Sequence, residues 1–416
     1  MISDSHTGPS SERTASLLVV ALIIAIFMIS STVGLAAVAA GIGVKTVTVG
    51  DSPSGIAVNP SASRVYITNS GDTTVSVMDS STGVVVAVVG IGNGPSGVAV
   101  DSKTGRVYAV DNVDNNVSVI GGSTNAAIAN ISVGSSPEGI AVDEQTDTVY
   151  VVNNAVNTVS VINGSTDRVV KNITVGDGPT SIAVNPAAGM AYVTDSLDGN
   201  ISVINLSADK VTKNITTGIS PMAVAVDTAT GYVYVADDLY NTVSVVDGPT
   251  GQVVANVTVG ESPDGIAVDP ITNMVFVTNS GDDTVSMFSG VSRGTTTTSA
   301  TYTIGVGKSP SAIAVDPLTG YAYVTNSGSD SVSIIGGPGP VQTTVTSTVT
   351  TTHSTTTISV VNSTNARSSS NPGVEAPEFP FQFALVAAVT VVVVASYLIA
   401  RRAPTPRMRA SGAITV

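Results

Sequence analysis

Histidine and cysteine carry much of protein chemistry, and this 416-residue chain has almost neither: cysteine is absent, and the two histidines, His6 and His353, lie near the ends. Thiolate or imidazole metal centres, Ser-His or Cys-His nucleophile pairs and disulfide frameworks therefore have no members through the long middle. No glycine-rich phosphate loop follows a strand pattern and opens a helix. What remains is oxygen chemistry. Asparagine and aspartate recur in two regular sets, one at Asn69, Asp111, Asn153, Asp195, Asp237, Asn279 and Asn326, the other at Asn59, Asp101, Asp143, Asn185, Asp227, Asp269 and Asp316. Oxygen donors suit a hard cation such as Ca²⁺, and a carboxylate can act as general acid or base. The same side chains also make turns by bonding nearby backbone amides. The second set precedes turns such as Asp316-Pro-Leu-Thr-Gly320 and reads as turn-forming. The first is the candidate ring for a cation or glycan, and no other cofactor is expected.

The sets recur because the chain does. A proline opens each unit at Pro53, Pro95, Pro137, Pro179, Pro221 and Pro263, 42 residues apart, and once more at Pro310 after 47. Within a unit, three runs rich in Val, Ile and Tyr alternate with Asp, Asn, Gly and Pro clusters, and a fourth run precedes the next proline. No helical period competes. Four short strands per unit predict a β-propeller blade, and seven units predict an all-β, seven-bladed propeller of four-stranded antiparallel blades over residues 41–340. The seventh unit stops after Ser331-Val-Ser-Ile-Ile335, with no fourth strand of its own. Val44-Lys-Thr-Val-Thr-Val-Gly50 has the form of a fourth strand and precedes the first proline, so it is expected to complete blade seven and remove two open sheet edges.

The third run repeats Val-Ser-Val, as at Val75–Val77 and Val117–Val119, which makes one face of each blade bulky and the other small. The blades are so alike that none stands out as a catalytic one.

The flanks differ in kind. Residues 1–16 form a polar tail, and 17–40 an apolar run long enough for a signal peptide or a signal anchor. Residues 341–376 turn to Thr, Ser and Val and read as a disordered stalk. Residues 377–400 hold Pro377-Glu-Phe-Pro380 and a second apolar span, and 401–416 a basic tail with Arg401, Arg402, Arg407 and Arg409. Basic residues stay cytoplasmic, which puts stalk and propeller outside the cell with the membrane as a partner through the terminal helices. Glycosylation acceptors fit that location, at Asn116, Asn130, Asn163, Asn172, Asn200, Asn205, Asn214, Asn256 and Asn362. A formal charge of −14 makes nucleic acid an unsuitable partner.

The runs Val-Tyr-Ile-Thr-Asn69, Val-Tyr-Val-Val-Asn153, Ala-Tyr-Val-Thr-Asp195 and Ala-Tyr-Val-Thr-Asn326 resemble the YVTN family of β-propeller repeats found in archaeal surface-layer and other exported proteins. The Pro-Glu-Phe motif, apolar span and arginine pair resemble the C-terminal sorting signals that archaeosortases process. The resemblance implies a cell-surface propeller serving as a non-catalytic binding, adhesion or envelope-interaction module, with envelope proteins or glycans as partners. Two alternatives stand beside it, a structural surface-layer component and a lactonase-type propeller hydrolase using a carboxylate-bound metal. Deleting residues 44–50 is expected to lower the melting temperature sharply and to broaden the unfolding transition seen by calorimetry; unchanged stability would count against a closed ring.

Overall fold

The computed structural model describes residues 43–291 and 301–336 with side chains, and the backbone of Thr344–Thr351 and Ser354–Val361. Both terminal apolar runs, the Pro377–Pro380 motif and Asn362 lie outside the described residues. Among those described, no helix is long and apolar enough to cross a membrane.

The repeat folds as seven four-stranded antiparallel sheets. In blade one the strands are Pro53–Asn59, Arg64–Asn69, Thr74–Asp79 and Val84–Gly90, in that spatial order. The seventh sheet runs Pro310–Val315, Ala322–Asn326, Ser331–Ile335 and then Val44–Thr48, with Val44 opposite Ile335 and Thr48 opposite Ser331. The first strands of all neighbouring blades touch, blade seven against blade one included, so these inner strands line the centre of a ring.

Sequence alternation becomes packing across the seams. Val75 and Val77 of blade one cluster with Val98, Val107 and Ala109 of blade two, and five further seams carry a like cluster. The tyrosine of the second strand is buried and reaches the neighbouring blade: the Tyr234 hydroxyl accepts from the Val291 amide at 3.0 Å, and the Tyr323 hydroxyl donates to the Ser80 carbonyl at 3.2 Å. A core without tryptophan is filled by this wedge, and in blades five and seven its hydroxyl adds a hydrogen bond across the seam.

Each inner strand starts with proline and bulges directly after it, as between Pro53 and Ile56. Proline is tolerated there because it opens the strand. The bulge is braced by hydroxyls. Thr68 Oγ1 accepts from the Gly55 amide at 2.7 Å, and Ser54 Oγ donates to the Pro95 carbonyl of the next blade at 2.9 Å.

A separate unit contains Thr344–Thr351 paired antiparallel with Ser354–Val361. Threonine and valine favour extended backbone, and two such runs lie close enough in sequence to pair as a hairpin.

The glycine two residues beyond each fourth strand is dictated by space. A Cβ on Gly134 would sit 2.6 Å from Asn153 Cγ, whereas a Cβ on Gly90 would meet nothing within 4 Å. Gly134→Ala is expected to cost about 1–3 kcal/mol in denaturant unfolding by overpacking, with Gly90→Ala close to neutral; equal behaviour of the two variants would contradict this steric account.

Candidate functional site

The asparagine and aspartate ring at the ends of the second strands is buried. Asn69, Asp111, Asn153, Asp195, Asp237, Asn279 and Asn326 are each 0% exposed. Asn153 Nδ2 donates to Ser160 Oγ at 2.9 Å, while Asn153 Oδ1 accepts from the Gly134 amide at 3.0 Å. Asn69, Asn279 and Asn326 donate in the same way to Ser76, Ser286 and Ser333. In the aspartate blades the polarity reverses: Ser118, Ser202 and Ser244 donate to Asp111, Asp195 and Asp237 at 2.6–2.7 Å. The candidate ring is thus buried, each side chain bonded to the third-strand serine of its own blade, while Oδ1 of Asn69, Asp111, Asp195 and Asp237 has no hydrogen-bond partner among the described residues. The middle serine of Val-Ser-Val is likewise a hydrogen-bond partner rather than merely a small residue.

The loop carboxylates nearby are also engaged. Asp72, Asp114, Asp198 and Asp282 accept from the backbone amides of Asp51, Asn93, Asp177 and Glu261 at 2.7–3.0 Å. Among the described residues, no three His, Cys, Asp or Glu side chains converge to hold a metal ion. The second set behaves as turn formers. Asp101 Oδ1 accepts from the amides of Lys103 and Thr104, and Asn59 Oδ1 from that of Ala62.

The irregular position is one the sequence reading passed over. Directly after the unit prolines stand Ser54, Ser96, Glu138, Thr180, Met222, Asp264 and Ser311. All seven are half-buried at the inner-strand starts, around one mouth of the ring. The hydroxyls of Ser54, Ser96, Thr180 and Ser311 bond carbonyls of the following blade. Glu138, Met222 and Asp264 break that circle. Neither carboxylate has a hydrogen-bond partner among the described residues, and in blade three the bracing threonine is replaced by Val152, as it is by Ala236 in blade five. Aligning the residue after each proline would have exposed the substitution.

Burial pushes Glu138 up to about 7, and burial, followed by the charge of Asp238, pushes Asp264 up to about 6. A carboxyl poised near neutrality can both accept and return a proton. The rim of this mouth is uneven as well. Val113, Leu197 and Leu239 are 66%, 81% and 67% exposed, while the matching positions in blades one, six and seven are Gly71, Gly281 and Gly328.

The family model described as "Lactonase, 7-bladed beta-propeller" matches residues 163–366, a span that includes Asp264 but not Glu138. Among solved structures, the chain is similar to hydrazine synthase from Kuenenia stuttgartiensis at 20% identity and a TM-score of 0.61, covering 68% of this chain and 95% of that one. At that identity the likeness shows the fold alone. No curated protein matches the chain.

Burial also pushes Asp111, Asp195 and Asp237 up to about 6, from an ordinary value of 3.8. Raised carboxyls mean that the folded state holds more protons than the unfolded one between about pH 4 and 7, so stability falls as pH rises through that window. Asp79, lowered to about 2 chiefly by the Ser81 hydroxyl, acts in the opposite direction but only below that window. The melting temperature is expected to be higher near pH 5 than near pH 8. Asp111→Asn, Asp195→Asn and Asp237→Asn together, copying the blades that already use asparagine, should raise it at the higher pH and shrink the difference. Thermal scans of both proteins across the range check this, and a flat wild-type profile would refute it.

Proposed function

We propose that the protein is a propeller hydrolase acting on small cyclic esters at the mouth where the inner strands begin, with Glu138 as the general base. The observation that carries this reading is the Glu138 carboxyl, unpartnered at a position where four other blades place bonded hydroxyls, and held close to neutral pH by burial. The match to a lactonase family model supports the reaction class. In the proposed step Glu138 takes a proton from water as the water oxygen bonds to the ester carbonyl carbon. The ring C–O bond then breaks, and the leaving alkoxide receives the proton back. The metal-assisted version expected from carboxylates alone is not adopted, since the loop carboxylates are occupied by backbone amides.

A second reading, a displayed ring that binds an envelope partner or glycan without chemistry, is favoured by the exposed apolar side chains on one arc of the same mouth. Either activity would be exercised outside the cell, held by the terminal apolar segments. Four acceptor asparagines, Asn130, Asn172, Asn214 and Asn256, are exposed on the fourth strands of blades two to five, which supports that location. The pairing of Val44–Thr48 with Ser331–Ile335 would keep the ring shut there.

The purified full-length protein should open simple lactones, with kcat/KM falling along an acid limb near pH 7. Glu138→Gln should lower kcat/KM about 100-fold or more and abolish that limb, as expected for loss of a general base, while Asp264→Asn retains it. Absence of turnover, or an unaffected Glu138→Gln variant, would transfer support to the binding reading.

A further inference from the structure

A cavity of about 460 Å³ opens in the seam between blades four and five, on the face opposite the Glu138 mouth. Its size falls within the range of small-molecule sites. Its walls are Met190, Val203 and Ile215 from blade four and Pro249 from blade five, with the Tyr192 hydroxyl and Lys213 as polar groups.

The seam differs from its neighbours on both sides. One seam earlier, Leu206 packs against the cluster of Tyr150, Val161 and Ile204, and Lys171 pairs with Asp209 at 3.6 Å. Forty-two residues on, the corresponding positions are Gly248, Lys213 and Gly251. The filling side chain and the partnering carboxylate are both missing. One seam later the space is closed again, by the fully buried Val291, whose amide also satisfies Tyr234. Between blades four and five, the Tyr192 hydroxyl has no hydrogen-bond partner among the described residues. Lys213 Nζ donates only to the backbone carbonyls of Thr250 and, more distantly, Gly251. It makes no ion pair among the described residues, in a chain of formal charge −14.

We infer that this seam is a binding site for a small organic anion with an apolar body, its carboxylate on Lys213 and Tyr192 and its tail against Met190, Val203 and Ile215. An apolar cavity favours the tail by removing it from water. The ammonium retains donors for an acceptor that no described residue supplies. Lys213 stands at an exposed rim, so its charge is partly screened and the expected affinity is modest.

Octanoate, octanol and acetate serve as probes, titrated into the full-length protein by calorimetry with melting temperature recorded alongside. Octanoate should bind and raise the melting temperature, octanol should bind at least about tenfold more weakly, and acetate should give no signal. Lys213→Met keeps the stem but removes the charge, and should lower octanoate affinity to that of octanol. Gly251→Asp should do the same by restoring the pair that Lys171 makes, and Asp209 shows that aspartate is accommodated at the equivalent left-handed position, with φ of 47° against 67° for Gly251. Lys213→Met should melt like the parent without ligand, whereas Gly251→Asp should melt lower, because its Cβ would stand 3.0 Å from Ile215 Cδ1 and displace the Lys213 side chain. Glu138→Gln should bind octanoate normally, which separates this site from the proposed hydrolase. Absence of octanoate binding, or equal binding by both Lys213→Met and the parent, would overturn the inference.

Discussion

Each blade depends on one buried polar contact, the side chain that ends the second strand. It touches the third strand through a serine and, in blades three, six and seven, the incoming loop through a glycine amide, so that there one side-chain amide fixes three segments at once. A buried polar group of this kind is costly unless satisfied, and each satisfied copy therefore specifies its register. The serine and the glycine are consequences: the first supplies the hydroxyl, and the second leaves the space. Where aspartate replaces asparagine, the serine contact remains with its direction reversed, and it acquires a titration because burial opposes the charge.

Repetition makes deviations informative. A ring of equal blades can vary only where a position is not already committed to holding neighbours together, and most positions are committed. The loops on the Glu138 face bond to one another, and the inner strands are braced by hydroxyls across the seams. The free positions are the residue after the proline, the tips of the loops and the turn facing the next blade. The odd side chains stand in those places: Glu138 in the first, Leu197 and Leu239 in the second, and Gly248 with Gly251 in the third.

The sequence by itself determined the blade count, the strand order and which residues alternate inward, because a period of 42 residues and the two-residue alternation of strands are local properties of the chain. It also identified the turn-forming set, from Asn59 to Asp316, whose partners lie only a few residues away. Only the tertiary structure decided that the ring from Asn69 to Asn326 is buried, because its glycine partner sits on the preceding loop and its burial is completed by packing. The same holds for Glu138, whose unusual environment comes from the adjoining inner strands, and for Lys213, whose missing partner is a residue on the next blade. Those properties arise from neighbours far along the chain, which no local pattern of residues records.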